Sequence, residues 1–431
     1  MRATSASVVY ALLSLPIAGH AYETMPIGGQ AYETTDVITW TDQGLYPAYP
    51  KLVPERPFQL FVSGGAYHDS NVFRLSDSVD TQALLGTTSR SDTVGRLGVG
   101  LKGELTASRQ RLLIDARADR YKYDRFSFLD NTAYRAGATW KWAAGEAWAG
   151  DLGYSKKRYL TGFGQLQAPI KDLLTQDNAF FVAKRRLTPE WQVRAGADWT
   201  KYEHSDPTLA SAESRITSGT IGADHFTSAG NSVGAQVKGS EGRYPNREVV
   251  AGSEVDNRYR EVEASAVAHW EVSGKSRFDA RVGYTRRRHE QIEQRDFSGA
   301  TGRLDYAWTP SGKTLLDFAA WRELRSIEDT VANYVLSEGA GFGPHWAPTA
   351  AIVLQAWVSH ERRDYQGDPG FVLTSAPRRV DTLDLARVSI GYNPRRFMRF
   401  SLSFEHGKRD SNFPTGDYSY NLASANARFT F

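Results

Sequence analysis

The last fourteen residues, Tyr418 to Phe431, repeat with a period of two. Phe431, Phe429, Ala427, Ala425 and Ala423 share one parity, and Thr430, Arg428, Asn426, Ser424 and Leu422 the other. That period belongs to a strand, whose successive side chains point to opposite faces. One amphipathic strand is not stable alone, because each edge carries a row of unpaired N–H and C=O groups, which hydrocarbon cannot satisfy. Its presence constrains the rest of the chain: other segments have to pair with both its edges, and the sheet has to close on itself.

The preceding chain supplies such segments. From Phe58 onward, stretches of about ten to fifteen residues alternate in the same way, each long enough to cross a membrane as a tilted strand. Leu97, Val99 and Leu101 oppose Arg96, Lys102 and Glu104; Leu112, Ile114, Ala116 and Ala118 oppose Asp115, Arg117 and Asp119. The connections sort into two classes that take turns. One is short and carries Leu187-Thr188-Pro189, Trp308-Thr309-Pro310, Trp346-Ala347-Pro348 or Tyr392-Asn393-Pro394, each expected to end a strand; the other is longer and polar, as at 68 to 91, 158 to 173 and 245 to 256. A soluble sandwich has no reason to sort its turns this way. The pattern predicts an all-β fold, a transmembrane antiparallel up-and-down β-barrel of about 18 strands with periplasmic termini.

Composition agrees where it decides something. No run of about eighteen apolar residues exists, which excludes spanning helices. The mean hydropathy of −0.48 does not exclude a barrel, since only alternate residues of each strand meet lipid. The chain has no cysteine, which removes disulfides, thiolate chemistry and a lipoprotein anchor, and a formal charge of +3 is too small to point to nucleic acid. Arg2, the apolar run Val8 to Ala18 and the small-x-small sequence Gly19-His20-Ala21 predict a signal peptide over 1–21. Residues 22–57, punctuated by Pro26, Pro47, Pro50, Pro54 and Pro57, read as an extended periplasmic leader, and 58–431 as the outer-membrane barrel.

Parity assigns the walls. Arg96, Lys102, Arg117, Arg135, Lys141, Arg194, Arg277, Arg281, Arg303, Arg399 and Arg428 fall on the polar parity, with Glu104, Asp115, Asp119, Asp198, Asp279, Asp305 and Glu405. They are the candidate lumen lining, and their mixture of signs predicts cross-strand ion pairs. Phe429 and Phe431 are the candidate signal for the barrel assembly machinery. Tyr121, Tyr123, Phe126, Phe128, Trp308 and Trp346 read as aromatic girdles at the lipid interfaces. Catalytic motifs are thin: the short clusters His68-Asp69-Ser70 and His204-Ser205-Asp206 are the candidates for a barrel enzyme, and no metal or cofactor pattern is present.

After the first strand the text reads Gly65-Ala66-Tyr67-His68-Asp69-Ser70-Asn71-Val72-Phe73-Arg74-Leu75. Tyr67, His68, Asp69, Ser70, Asn71, Phe73 and Arg74 carry a resemblance to the EpsL-type outer-membrane barrels of exopolysaccharide operons. The resemblance implies a conduit for a finished polysaccharide without covalent chemistry of its own. Its implied surroundings are outer-membrane lipid, a polysaccharide cargo and a periplasmic polysaccharide-export (OPX) protein. Two other functions stay open beside it: a general or substrate-selective diffusion porin, and a barrel enzyme acting on lipid or polysaccharide.

Overall fold

The computed structural model describes residues 57–250, 253–326, 334–367 and 378–431. The expected signal peptide and leader lie outside the described residues, apart from Pro57. The strands are β1 (Phe58–Asp69), β2 (Asp92–Ala107), β3 (Gln110–Tyr123), β4 (Asn131–Ala144), β5 (Trp148–Leu160), β6 (Leu173–Arg186), β7 (Trp191–Glu203), β8 (Ser214–Phe226), β9 (Ser232–Arg243), β10 (Glu248–Val250), β11 (Ser253–Val255), β12 (Tyr259–Ser273), β13 (Ser276–His289), β14 (Phe297–Ser311), β15 (Thr314–Ser326), β16 (Tyr334–Trp346), β17 (Ile352–Asp364), β18 (Val380–Arg395), β19 (Met398–Ser411) and β20 (Tyr418–Thr430). Two short helices, α1 (Thr81–Leu85) and α2 (Phe163–Leu166), lie in long connections.

Eighteen of these strands form one antiparallel sheet, and β10 pairs only with β11. β1 holds β2 on one edge, from Phe58 opposite Gly103 to Asp69 opposite Asp92. Its other edge holds β20, from Phe61 opposite Thr430 to Asp69 opposite Leu422. The terminal strand therefore has both edges paired, and the sheet closes into the expected barrel. Closure is the arrangement that leaves no ladder edge facing lipid.

The two faces differ as the alternation requires. Leu60, Leu97, Ile221 and Val282 are 58–68% exposed, while Ser63, Arg96, Ser218 and Thr285 on the other parity are buried. A continuous exposed apolar face would drive aggregation in water; against hydrocarbon it is the stable face. At the end where the short turns gather, this outer face carries Trp140, Trp148, Trp191, Trp308, Trp346 and Tyr392, all exposed. They form an aromatic girdle on the periplasmic side.

Three local expectations change. Tyr121 and Tyr123 are buried inside the barrel rather than set in a girdle, because odd-numbered residues of β3 face inward, and Phe126, in the connection after β3, is buried against Phe73; Trp308 and Trp346 do lie on the outer face. Pro310 and Pro394 do not end strands. β14 and β18 run through them, with register shifts between Trp308 and Ser311 and between Tyr392 and Arg395. A bulge leaves a residue out of the ladder, and proline has no N–H to contribute. The polar connection expected at 245 to 256 contains the β10–β11 hairpin.

Candidate functional site

The register places every sequence-derived wall residue on the inward parity, and ion pairs knit them across strands. Asp119 accepts from Arg117 at 2.6 and 2.9 Å and lies 3.7 Å from Arg96. A Cβ on Gly98 would collide with the Asp119 carboxylate, so the glycine gives this triad its room. Arg135 stands 3.5 Å from Asp115, Lys141 is 3.0 Å from Asp151, and Arg111 reaches Glu104 at 2.7 Å. Arg194 pairs with Asp224, Arg303 with Asp305 at 2.7 Å, and Asp279 with both Arg277 at 3.3 Å and His269 at 2.6 Å. Arg281 bridges Glu323 at 2.7 Å and Glu263 at 3.7 Å. Glu405 accepts from Arg387 and from the Tyr420 hydroxyl, both at 2.6 Å.

Several wall groups escaped the sequence reading. Glu361 is fully buried and gathers Ser337 at 2.7 Å, Arg363 at 2.9 Å and Arg325 at 3.3 Å. Arg287 pairs with Glu261 at 2.8 Å and lies between the rings of Tyr259 and Tyr334. Parity was the available signal: Arg287 stands on the same face of β13 as Arg281, and Arg363 on the same face of β17 as Glu361.

At the extracellular end the first long connection turns inward. Asp69 accepts from the Asn71 amide at 2.9 Å and from Arg74 Nη1 at 2.8 Å. Arg74 takes φ of 55°, a left-handed conformation that returns its guanidinium to Asp69 and sets it 3.5 Å above the Tyr420 ring. Asn71 donates to the carbonyls of Leu75 at 2.8 Å and Ser419 at 3.1 Å, and accepts from the Leu75 amide at 3.0 Å. Phe73 is 0% exposed and meets Phe126 and Phe163 edge-on, with centroids 4.9 and 4.8 Å apart. These rings come from three different connections. Gln167 donates to the Arg74 carbonyl at 2.7 Å, and Arg409 donates to the carbonyls of Gly416, at 2.7 Å, and Gly164. The hook 70–75 therefore clasps the loops at 124–130, 161–172 and 412–417 over the inner faces of β20, β1, β2 and β3.

A second clamp joins neighbouring loops. Asp172, buried, accepts from His204 Nδ1 at 2.7 Å, from the amides of Ser205 and Asp206 at 2.8 and 2.9 Å, and from the Thr161 hydroxyl. Burial favours its protonated form, yet the hydrogen bonds from His204, Thr161 and Asp206 outweigh burial and hold its carboxyl below the usual value of 3.8.

Both clusters singled out as enzyme candidates take part in structural contacts. His68 and Asp69 are neighbours on one strand and point to opposite faces, His68 outward to Thr93 at 3.0 Å and Asp69 inward to Arg74. Ser205 Oγ accepts from the Leu173 amide at 2.7 Å and lies 3.3 Å from Asp172, so it serves the loop clamp rather than a general base. Among the described residues no group of three or more His, Asp or Glu is placed to hold a metal.

At the opposite, periplasmic end, a recess by the closing strands is lined by Lys102, Arg396, Arg399 and Arg428 with Gln59, Phe61 and Asn393. Arg428 lies 4.6 Å from the centre of the Phe61 ring, and Arg399 donates to Asn393 at 3.2 Å.

A closed 18-strand antiparallel barrel with a lipid-facing apolar exterior, a charged interior and a loop-narrowed mouth is an outer-membrane barrel of porin type. Residues 260–431 match the family model described as putative β-barrel porin 2. No curated protein matches the chain. Among solved structures, Pseudomonas aeruginosa OpdK with vanillate is 12% identical, with a TM-score of 0.46 over 87% of this chain and 99% of that one. P. aeruginosa OccK2 (OpdF) with glucuronate is 8% identical at 0.47, over 87% and 98%. A BenF-like porin from Pseudomonas fluorescens Pf-5 is 8% identical at 0.47, over 87% and 99%. The family match corrects the expected polysaccharide conduit, because what it describes is a porin. The residues that suggested a conduit, Tyr67 to Arg74, have their partners in the clasp and the adjoining strands. Tyr67 itself donates to the Tyr123 hydroxyl at 3.4 Å.

Proposed function

We propose that this protein is a diffusion porin for small solutes, narrowed at its extracellular mouth by the hook 70–75 and favouring anions at its periplasmic end. One observation carries the reading: the hook 70–75 folds back over the inner wall, with Phe73 packed on Phe126 and Phe163 and Arg74 over the Tyr420 ring, so the constriction is built into the path a solute takes. A barrel near eighteen strands is wide enough for water, and inward loops reduce that bore to solute size. The porin family match supports the same reading. The preference for anions is drawn from the recess, where Lys102, Arg396, Arg399 and Arg428 converge. Ring-like clusters of one sign set ion preference in pores because a solute crosses them partly dehydrated.

The test is a planar bilayer holding the full chain between unequal KCl solutions. The reversal potential should show chloride preferred over potassium, and Lys102→Gln with Arg428→Gln should move it toward zero. Absence of any conductance would refute the porin, and an unchanged reversal potential in the double variant would refute the assignment of selectivity to the recess.

A further inference from the structure

The outer face of the barrel carries a feature that solute passage does not use. At the extracellular ends of β8, β9, β12 and β13, the lipid-facing parity holds Arg215, Arg243, Arg260, Arg286 and Arg288, all exposed. They share that parity with Ile221, Val237, Val262, Val282 and Tyr284, the exposed apolar residues below them. Two strand residues climb about 5 Å at the tilt of a barrel strand, so Arg260 and Arg286 stand about 5 Å, Arg288 about 10 Å, and Arg215 and Arg243 about 15 Å above the nearest of these apolar residues on their own strands. The headgroup layer adds about 5 to 8 Å to each side of the hydrocarbon, so Arg260 and Arg286 stand within it and the other three stand above it, facing the polar part of the outer leaflet.

Their pairing goes against what an unliganded sheet prefers. Arg215 lies directly opposite Arg243, and Arg260 directly opposite Arg288. Like charges in register repel across a strand pair. Glu241 relieves Arg243 at 3.0 Å and Asp296 relieves Arg288 at 2.5 Å. Arg215, Arg260 and Arg286 have no carboxylate within ion-pair distance among the described residues, although Glu241 stands in register with Arg260. The other rim carries Trp148, Trp191, Trp308 and Trp346 on the outward faces of β5, β7, β14 and β16. Aromatic residues suit both interfaces equally. The periplasmic rim also holds an outward arginine, Arg185, which stacks on the Trp148 ring, whereas the extracellular patch sets arginines in register with one another.

We infer that this arginine patch binds the phosphate groups of an anionic glycolipid in the outer leaflet. A phosphate seated between two facing guanidiniums accepts forked hydrogen bonds from both and turns their repulsion into attraction. The acyl chains of the same molecule then lie along Val262, Val282 and Tyr284, so one ligand satisfies the charged and the apolar parts of the surface together.

The experiment titrates detergent-solubilised full-length protein with fluorescent diphosphoryl lipid A. Parallel titrations use dephosphorylated lipid A and phosphatidylglycerol, and inorganic phosphate serves as competitor. Wild type should prefer diphosphoryl lipid A and keep it in the presence of equimolar inorganic phosphate. The triple variant Arg215→Gln, Arg260→Gln, Arg286→Gln should bind on the order of a hundredfold more weakly, each arginine near an anionic surface counting for roughly fivefold. Arg185→Gln, on the outer face at the periplasmic rim, should bind as wild type does. Wild-type affinity in the triple variant, or equal binding of dephosphorylated lipid A or of phosphatidylglycerol, would overturn the inference. Displacement by equimolar inorganic phosphate would do the same, by making the patch a free-anion site. If the triple variant yields no heat-modifiable folded band, Arg260→Gln alone is read, with a loss of roughly fivefold expected and no loss refuting. Conductance of the variants should match wild type, which separates this test from that of the porin.

Discussion

Replacing Phe73 by Ala removes the ring at the centre of the clasp. That ring is 0% exposed and makes edge contacts to Phe126 and Phe163 at 4.9 and 4.8 Å. Burial of a phenylalanine contributes about 1.5 to 3 kcal/mol, and each aromatic pair about 0.5 to 1.5 more. The sum matches the loss of about 3 to 5 kcal/mol measured when core phenylalanines become alanine. The eighteen strand ladders do not involve this side chain, so the loss falls on the local equilibrium between hook docked and hook released. A change of about 4 kcal/mol raises the released fraction roughly a thousandfold relative to docked. Arg74 then loses its support, and its position becomes open to protease from the extracellular side. Single-channel recording in planar bilayers should show larger openings or frequent excursions to a larger conductance, and brief trypsin treatment should cut near Arg74 in the variant alone. Wild-type conductance, noise and trypsin pattern in a correctly folded Phe73→Ala barrel would show that the hook is not the constriction.

Three further outcomes follow from the wall, the loop clamp and the terminus. Glu361→Ala strands the buried Arg363, 2.9 Å from the missing carboxylate, and removes one of the two partners of the half-buried Arg325; it should cost about 3 to 5 kcal/mol in urea unfolding followed by tryptophan fluorescence. Because the carboxyl of Asp172 is held below 3.8, its contribution to the loop clamp is present above that value and fades as pH falls through the lower folded value. Amide exchange protection at Ser205 and Asp206 should therefore persist at pH 5 and drop in strongly acidic solution, and loss of protection already at pH 5 would contradict the assignment. Phe431 is exposed and its amide donates to the Leu60 carbonyl at 2.7 Å. Phe431→Asp places a charge at the lipid-facing seam and should reduce the heat-modifiable folded band in outer membranes, whereas a normal band would remove Phe431 from barrel assembly.

Much of the architecture could be read from residue order alone, because a strand has only two faces and its period is two. Once Leu97, Val99 and Leu101 were set against Arg96 and Lys102, the inward and outward walls followed, and two classes of connection gave the strand number and the sidedness. Closure followed from chemistry, since lipid tolerates no open ladder edge. Parity even covered groups that were passed over, such as Arg287 and Arg363.

Only the tertiary structure decided what the non-repeating segments do. A loop has no period, so the stretch Tyr67 to Arg74 offered a resemblance and no direction; its turn inward depends on Phe126, Phe163 and Tyr420, which lie far away in sequence. Opposed charges behave in the same way. Parity puts Arg117 and Asp119 on one wall, but strand register decides that Arg96 joins them and that Arg215 faces Arg243 on the outside. Local order along the chain determines which face a side chain takes; register and loop packing, which are long-range, determine what it meets there.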